Sequence, residues 1–212
     1  MSQDINKLAA SAEWYGYQNW KILPCYGINS GKCTCGNSHP EPKDIGKHPA
    51  INQWNAAATS DLTKISSWWH SDPDYNVGVY CRPSGFLVID IDPRSGGVES
   101  FEKFQSLVEG ALPPTVEALT GQYMNNGKNV RGRHLYYKCS PDEELIGNLN
   151  KAGLKGIDIK HNGYVLIAPS RHFTGISYEW VEGKGPHEME MAEAPEQLLE
   201  FIRKRNSRSG TK

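Results

Sequence analysis

Long apolar runs are missing from this chain: its hydrophobic stretches extend over only a few residues each. A membrane-spanning helix, which needs about 20 consecutive apolar residues, is therefore not expected. The opening residues Met1, Ser2, Gln3 and Asp4 lack a basic region followed by an apolar one, so a secretory leader is not expected either, and the reading is a soluble, cytoplasmic protein. Net charge is nearly absent as well. Twenty-three Lys and Arg stand against 24 Asp and Glu, a balance of −1, so any affinity for nucleic acid has to come from local patches. Cysteine is sparse and uneven, with Cys25, Cys33 and Cys35 crowded together and Cys81 and Cys139 alone. That spacing does not make a disulfide framework and points to a metal site or free thiols. No internal repeat or low-complexity tract is present. What remains is a 212-residue chain, 38% hydrophobic, able to bury a core as one α/β unit with an appendage.

Ile5, Leu8, Ala9 and Ala12 follow a helical period, and the turn-rich stretch from Pro24 to Pro49 then interrupts it with Gly27, Gly31, Gly36, Gly46, Pro40 and Pro42. A loop of that length inside a compact domain needs a reason, and a bound metal would supply one. Thr59 or Ser60 is placed to cap a short helix carrying Leu62, Ile65 and Trp68. Val77–Tyr80 and Phe86–Ile91 read as strands of a hairpin joined through Arg82, Pro83, Ser84 and Gly85. Val98, Phe101, Phe104 and Val108 mark an amphipathic helix, and His134–Tyr137, Ile157–Lys160 and Tyr164–Ala168 read as further strands. The expected fold is α+β or α/β, a mixed sheet packed with helices. A domain over 1–194, including the loop 24–49, is expected to be followed over 195–212 by a helix with Leu198, Leu199, Phe201 and Ile202 and a basic linker leading to further domains.

In Phe86-Leu87-Val88-Ile89-Asp90-Ile91-Asp92 the two acids lie two apart on a strand, so they share one face while Leu87, Ile89 and Ile91 face the other way. Like charges held side by side call for a cation, and hard carboxylate oxygens suit Mg²⁺ or Mn²⁺. Asp158, in Gly156-Ile157-Asp158-Ile159-Lys160, offers a third carboxylate in the same setting, and three carboxylates can hold the two metals of an in-line displacement. Acids at strand ends also cap helices or face solvent, so the pair by itself is weak.

Between Thr120 and Lys138 there are basic residues but no acids, which marks a local anion site. On a strand His134, Tyr136 and Lys138 share a face, so His134 can donate to a triphosphate oxygen while Arg131 and Arg133 neutralise charge. Lys160 joins these nucleotide-binding candidates. Ser170, Arg171 and His172, after Pro169, place a hydroxyl, a guanidinium and an imidazole in a loop behind the last apolar strand.

These segments, in this order, resemble the bifunctional primase/polymerase N-terminal domain of the archaeo-eukaryotic primase superfamily, found in plasmid and phage replication proteins. The resemblance covers most of the chain: Gly46-Lys47-His48-Pro49, Trp54, Ala58-Thr59, Ile65, Trp68-Trp69, Asn76-Val77-Gly78-Val79, Ser84-Gly85, Asp90-Ile91-Asp92, Leu112-Pro113-Pro114-Thr115, Gly132-Arg133-His134-Leu135-Tyr136-Tyr137, Gly156-Ile157-Asp158, Gly163-Tyr164-Val165, Ala168-Pro169-Ser170 and His172.

The resemblance implies a primase-type catalytic core in which Asp90, Asp92 and Asp158 bind the catalytic Mg²⁺ or Mn²⁺, His134 contacts the phosphates of the incoming nucleotide, and Ser170 and His172 help to hold it. It further implies a zinc loop near the N-terminus, with Cys33, Cys35 and His39 as ligands and His48 or Cys25 as the fourth; thiolates and imidazoles within a short loop suit tetrahedral Zn²⁺. One departure is an insertion from Gln122 to Val130, after Thr120-Gly121 and before His134. The function implied is template-dependent nucleotidyl transfer from NTPs or dNTPs on single-stranded DNA, as primase and polymerase in phage or plasmid replication, with a helicase domain or partner. The rival readings are a metal-dependent nuclease using the same carboxylates and a non-catalytic nucleic-acid-binding module.

Overall fold

The computed structural model describes residues 2–206 apart from 42–43, 109–111, 126, 146, 148 and 150–151. Pro42, the side chain of Ile5 and the tail beyond 206 therefore lie outside the described residues. The chain forms two compact units, Met1–Ser84 with Gly163–Glu179, and Gly85–Asn162 with Trp180–Lys212.

The first unit opens with helix α1 (Ser2–Tyr17), whose Leu8, Ala12 and Tyr15 are buried. Strand β1 (Lys21–Cys25) follows, then a small ribbon of β2 (Ile28–Asn29) and β3 (Lys32–Cys33), the short helix α2 (Trp54–Ala57), helix α3 (Leu62–Ser71) and strand β4 (Asn76–Tyr80). The cap of α3 is Asp61, one residue beyond the expected Thr59 or Ser60. Its carboxylate accepts from Thr63 N at 2.8 Å and Lys64 N at 3.2 Å, satisfying two of the first-turn donors. Strand β9 (Tyr164–Leu166) completes an antiparallel sheet in the order β1-β4-β9. Val77 and Val79 of β4 and Ile22 and Leu23 of β1 are fully buried, with Ile65 and Trp69 of α3.

The second unit is built on β5 (Phe86–Ile91), helix α4 (Gly97–Leu107), the long strands β6 (Glu117–Asn125) and β7 (Lys128–Lys138), β8 (Ile157–Lys160), the short β10 (Glu179–Trp180) and helix α5 (Glu196–Asn206). Its sheet has the order β10-β6-β7-β5-β8. Leu87, Ile89 and Ile91 of β5, Leu135 and Tyr137 of β7, and Ile157 and Ile159 of β8 form one apolar cluster with Phe104 of α4 and Leu198, Phe201 and Ile202 of α5. At about 25 cal/mol per Å² of buried apolar surface, this cluster is the main reason the strands keep one face against the helices. Every second residue is thereby forced onto the opposite face, which carries Asp90, His134, Asp158 and Lys160.

The fold is α+β with sheets packed against helices, as the sequence leads one to expect. The hairpin expected between β4 and β5 does not form. Arg82–Ser84 makes a 3-10 turn, and the two strands enter different sheets. Both edges of each are occupied by distant partners, β1 and β9 for β4, β7 and β8 for β5, so no edge is left for the sequence neighbour. The insertion Gln122–Val130 extends the β6–β7 pair, with Tyr123 opposite Val130, Met124 opposite Asn129 and Asn125 opposite Lys128.

Candidate active site and metal centre

The antiparallel register of the second unit sets Asp90 opposite His134 of β7 on one side and opposite Asp158 of β8 on the other. Directly opposed residues share a face with Cβ atoms about 5 Å apart, so two carboxylates and an imidazole stand in one row across three strands. Each carboxylate has a positive or protonatable neighbour. His134 Nε2 lies 3.4 Å from Asp90 Oδ1, and its Nδ1 is 3.5 Å from the Tyr136 hydroxyl. Lys160, two residues along the same face, pairs with Asp158 Oδ2. Asp92 sits just past the end of β5, where its Oδ1 accepts from Arg94 N at 3.0 Å and its Oδ2 from Arg94 Nη2 at 2.8 Å. The carboxylates of Asp90, Asp92 and Asp158 keep 30%, 25% and 32% of their side-chain surface, so they are accessible to an ion from solvent.

The main chain of Asp92 is held by a backbone crossing that only glycine permits. Asp92 N donates to Gly156 O at 2.8 Å, and Gly97 N donates back to Asp92 O at 3.0 Å. A Cβ on Gly97 would lie 2.6 Å from Asp92 O and 2.7 Å from Gly156 O.

In the first unit, Cys33, Cys35, His39 and His48 bring their ligand atoms within 4.8 Å of one another, a group that could hold a metal ion. The β2–β3 turn at Ser30 (φ 51°) and Gly31 (φ 76°) has both central residues left-handed, the geometry of a two-residue hairpin loop, and returns the chain so that Cys33 faces inward. Cys35 Sγ is 3.1 Å from His39 Nε2, and Cys33 Sγ is 3.9 Å from His48 Nε2. Burial alone would raise the Cys35 thiol. Hydrogen bonds from His39, the Asn37 amide, Cys33 and His48 outweigh it and bring the thiol down to about 6, which favours the thiolate that ligates metals. Cys25 is not in this group: it is fully buried in β1, and burial pushes its thiol far up.

The family model for the bifunctional DNA primase/polymerase N-terminal domain matches residues 12–197. The chain belongs to that family. No curated protein matches it. The family is metal-dependent, and a primase/polymerase domain of replication implies binding of a DNA template and nucleotides.

Not every residue singled out from the sequence comes to the carboxylate row. Arg133 alternates to the other face of β7, where Nε pairs with Glu117 at 2.6 Å and the guanidinium lies 5.4 Å over Phe101. Arg131 donates Nε to Thr120 O at 2.8 Å, bracing the irregular register between Leu119 and Gln122. Ser170 and His172 belong to the first unit. Ser170 Oγ accepts from Val77 N at 2.9 Å and donates to Val77 O at 3.2 Å, which ties the loop to β4. His172, also buried, faces Thr174 with Nδ1 to Oγ1 at 2.9 Å.

Three residues that the local sequence pattern does not mark adjoin the carboxylate row or the strands that carry it. Arg94 engages Asp92, and this hydrogen bonding pushes its guanidinium above the ordinary value. Tyr123 lies under the Arg94 guanidinium at 4.8 Å; burial pushes its hydroxyl up to about 12, Arg94 opposing and Asp92 and Asp90 adding to the rise. Glu117, buried on the helix side, takes Arg133 and Lys184; burial would raise its pKa, but the two cations hold the carboxyl below the ordinary range. Arg94 directly follows Asp92-Pro93 and was open to notice. Tyr123 and Glu117 had no local signal.

Among the described residues no helix is long and apolar enough to cross a membrane.

Proposed function

We propose that this chain is a template-dependent nucleotidyltransferase, a DNA primase and polymerase of phage or plasmid replication that joins NTPs or dNTPs on single-stranded DNA. The observation that carries the proposal is the row His134–Asp90–Asp158, with Asp92 two residues beyond Asp90 just past the end of β5, in a chain of the prim-pol family. The donor set fits the ion: three partly exposed carboxylates supply hard oxygens of the kind Mg²⁺ or Mn²⁺ takes while keeping waters and substrate phosphates in its shell. When bound, two such ions would activate the attacking hydroxyl and stabilise the departing pyrophosphate. The chain's own residues supply the rest. His134 steadies Asp90 and presents its imidazole to the phosphates, and Lys160 balances Asp158 and adds positive charge beside it. Ser170 Oγ, bonded to both Val77 N and Val77 O, holds the loop that carries His172. The Cys33, Cys35, His39 and His48 group is assigned to structural Zn²⁺, for which two thiolates and two imidazoles in a closed loop are the usual ligands.

The deciding experiment incubates the chain with single-stranded templates, labelled ATP and dNTPs, and Mg²⁺ or Mn²⁺, beside the Asp90→Ala/Asp92→Ala variant. Oligonucleotides made only by the wild type support the reading. Equal synthesis by the variant removes the carboxylates from it. Release of mononucleotides without synthesis would make the chain a nuclease, and salt-sensitive template binding without turnover under either metal would make it a binding module.

A further inference from the structure

Arg94 occupies Asp92 more fully than a surface ion pair needs to. Both carboxylate oxygens are engaged: Oδ1 accepts from the Arg94 backbone N at 3.0 Å and from Nε at 3.1 Å, and Oδ2 accepts from Nη2 at 2.8 Å. The guanidinium plane is supported from behind by the Tyr123 ring, 4.8 Å from its centroid. Asp92 is also the carboxylate whose main chain is locked by the Gly97 and Gly156 crossing, so its side chain cannot escape the guanidinium by a backbone shift. A divalent cation approaching Asp92 therefore meets a carboxylate already neutralised, and it must displace at least one arm of the fork.

We infer that Arg94 is an exchangeable counter-ion: it holds Asp92 in the metal-free protein, yields the carboxylate to the divalent cation, and then engages the polyphosphate of the incoming nucleotide. This rests on the proposed metal-dependent nucleotidyl transfer at Asp90, Asp92 and Asp158. The exchange is electrostatically balanced. A divalent cation on Asp92 would carry two positive charges in place of the guanidinium's one, and an incoming polyphosphate would bring the negative charge that the freed guanidinium needs. A planar fork that binds a carboxylate bidentately binds a phosphate in the same manner, and Tyr123 keeps it beside the site while it changes partners. Lys160 on Asp158 is a point charge without such a fork.

The test measures Mn²⁺ binding by electron paramagnetic resonance on the whole chain, with the Cys/His group first saturated with Zn²⁺. Removing a competing cation from an accessible carboxylate is worth a modest factor, so Arg94→Gln should bind Mn²⁺ about two- to fivefold more tightly than wild type in the absence of nucleotide. In saturating Mn²⁺ the same variant should bind a non-hydrolysable dNTP about tenfold or more weakly, having lost a charge-assisted bidentate contact. Arg94→Lys, which keeps the charge without the fork, should bind Mn²⁺ close to wild type and recover only part of the nucleotide affinity. Unchanged or weaker Mn²⁺ binding by Arg94→Gln, or unchanged nucleotide binding, overturns the exchange. An Asp90→Asn/Asp92→Asn control separates the two levels. Loss of Mn²⁺ there with wild-type behaviour of Arg94→Gln sinks the Arg94 inference alone, whereas undiminished Mn²⁺ binding sinks the carboxylate reading with it.

Discussion

His134 is 5% exposed, set between Asp90 and the Tyr136 hydroxyl, so it can orient the carboxylate proposed to bind a metal as well as meet a phosphate. His134→Ala is expected to raise the KM for the incoming nucleotide about tenfold or more, on the scale of one hydrogen bond to a charged group, as steady-state primer extension would read out. Replacing Asp90 by Asn should cost more, about a hundredfold or greater in extension rate, because charge stabilisation by a bound cation is worth several kcal/mol. Glu117 gives a prediction with a pH sign. Its folded pKa is depressed, so its pairing with Arg133 and Lys184 contributes fully above the unfolded carboxyl value of 4.5 and is lost as pH falls through the lower folded value. Glu117→Gln should therefore lower stability by about 1–3 kcal/mol at pH 7, with both partners partly exposed and screened. In urea melts that difference should shrink below about pH 4; a difference that persists undiminished in acid would show the effect to be steric.

Elements matter here through where they cross and which edges they offer. The start of α4, the end of β5 and the start of β8 meet with backbone in contact with backbone at Gly97 and Gly156. Gly97→Ala should destabilise the second unit by about 1–3 kcal/mol through overpacking and, by moving Asp92, reduce extension at temperatures where the variant is still folded. Wild-type activity and stability together would show that the crossing has slack. The period-2 alternation of Phe86-Leu87-Val88-Ile89-Asp90-Ile91-Asp92 was legible, and Leu87, Ile89 and Ile91 do pack on the helices. The β4–β5 hairpin was misread for a physical reason: a short Pro-containing link resembles a tight turn locally, but pairing is decided by which edges remain open, and these were taken by β1, β9, β7 and β8. Strands β1 and β6 had weaker local patterns, and β6 draws much of its order from its long ladder with β7.

For the molecule as a whole, a net charge of −1 means that template binding must rest on local cations rather than a general field. The zinc proposed for the Cys/His group would give the first unit a stabiliser of another kind. A metal that binds only the folded state adds about 3 kcal/mol at a hundredfold excess over its Kd, so stripping zinc with a chelator should lower the calorimetric unfolding temperature, and Cys35→Ser should abolish the effect. A melt that does not respond to zinc would remove it from the account. The sequence by itself determined the kinds of groups available, the face on which each strand residue lies, and the short segment that gathers thiols and imidazoles, because these follow from the local geometry of the backbone and from spacing along the chain. Only the tertiary structure decided that Asp90 stands opposite both His134 and Asp158, that His48 rather than Cys25 joins Cys33, Cys35 and His39, that Arg94 closes on Asp92, and that Arg133 turns away to Glu117. Register and ion pairing depend on which distant edges meet and which charges share the buried space between them. Those are free energies of the folded whole, and no local pattern carries them.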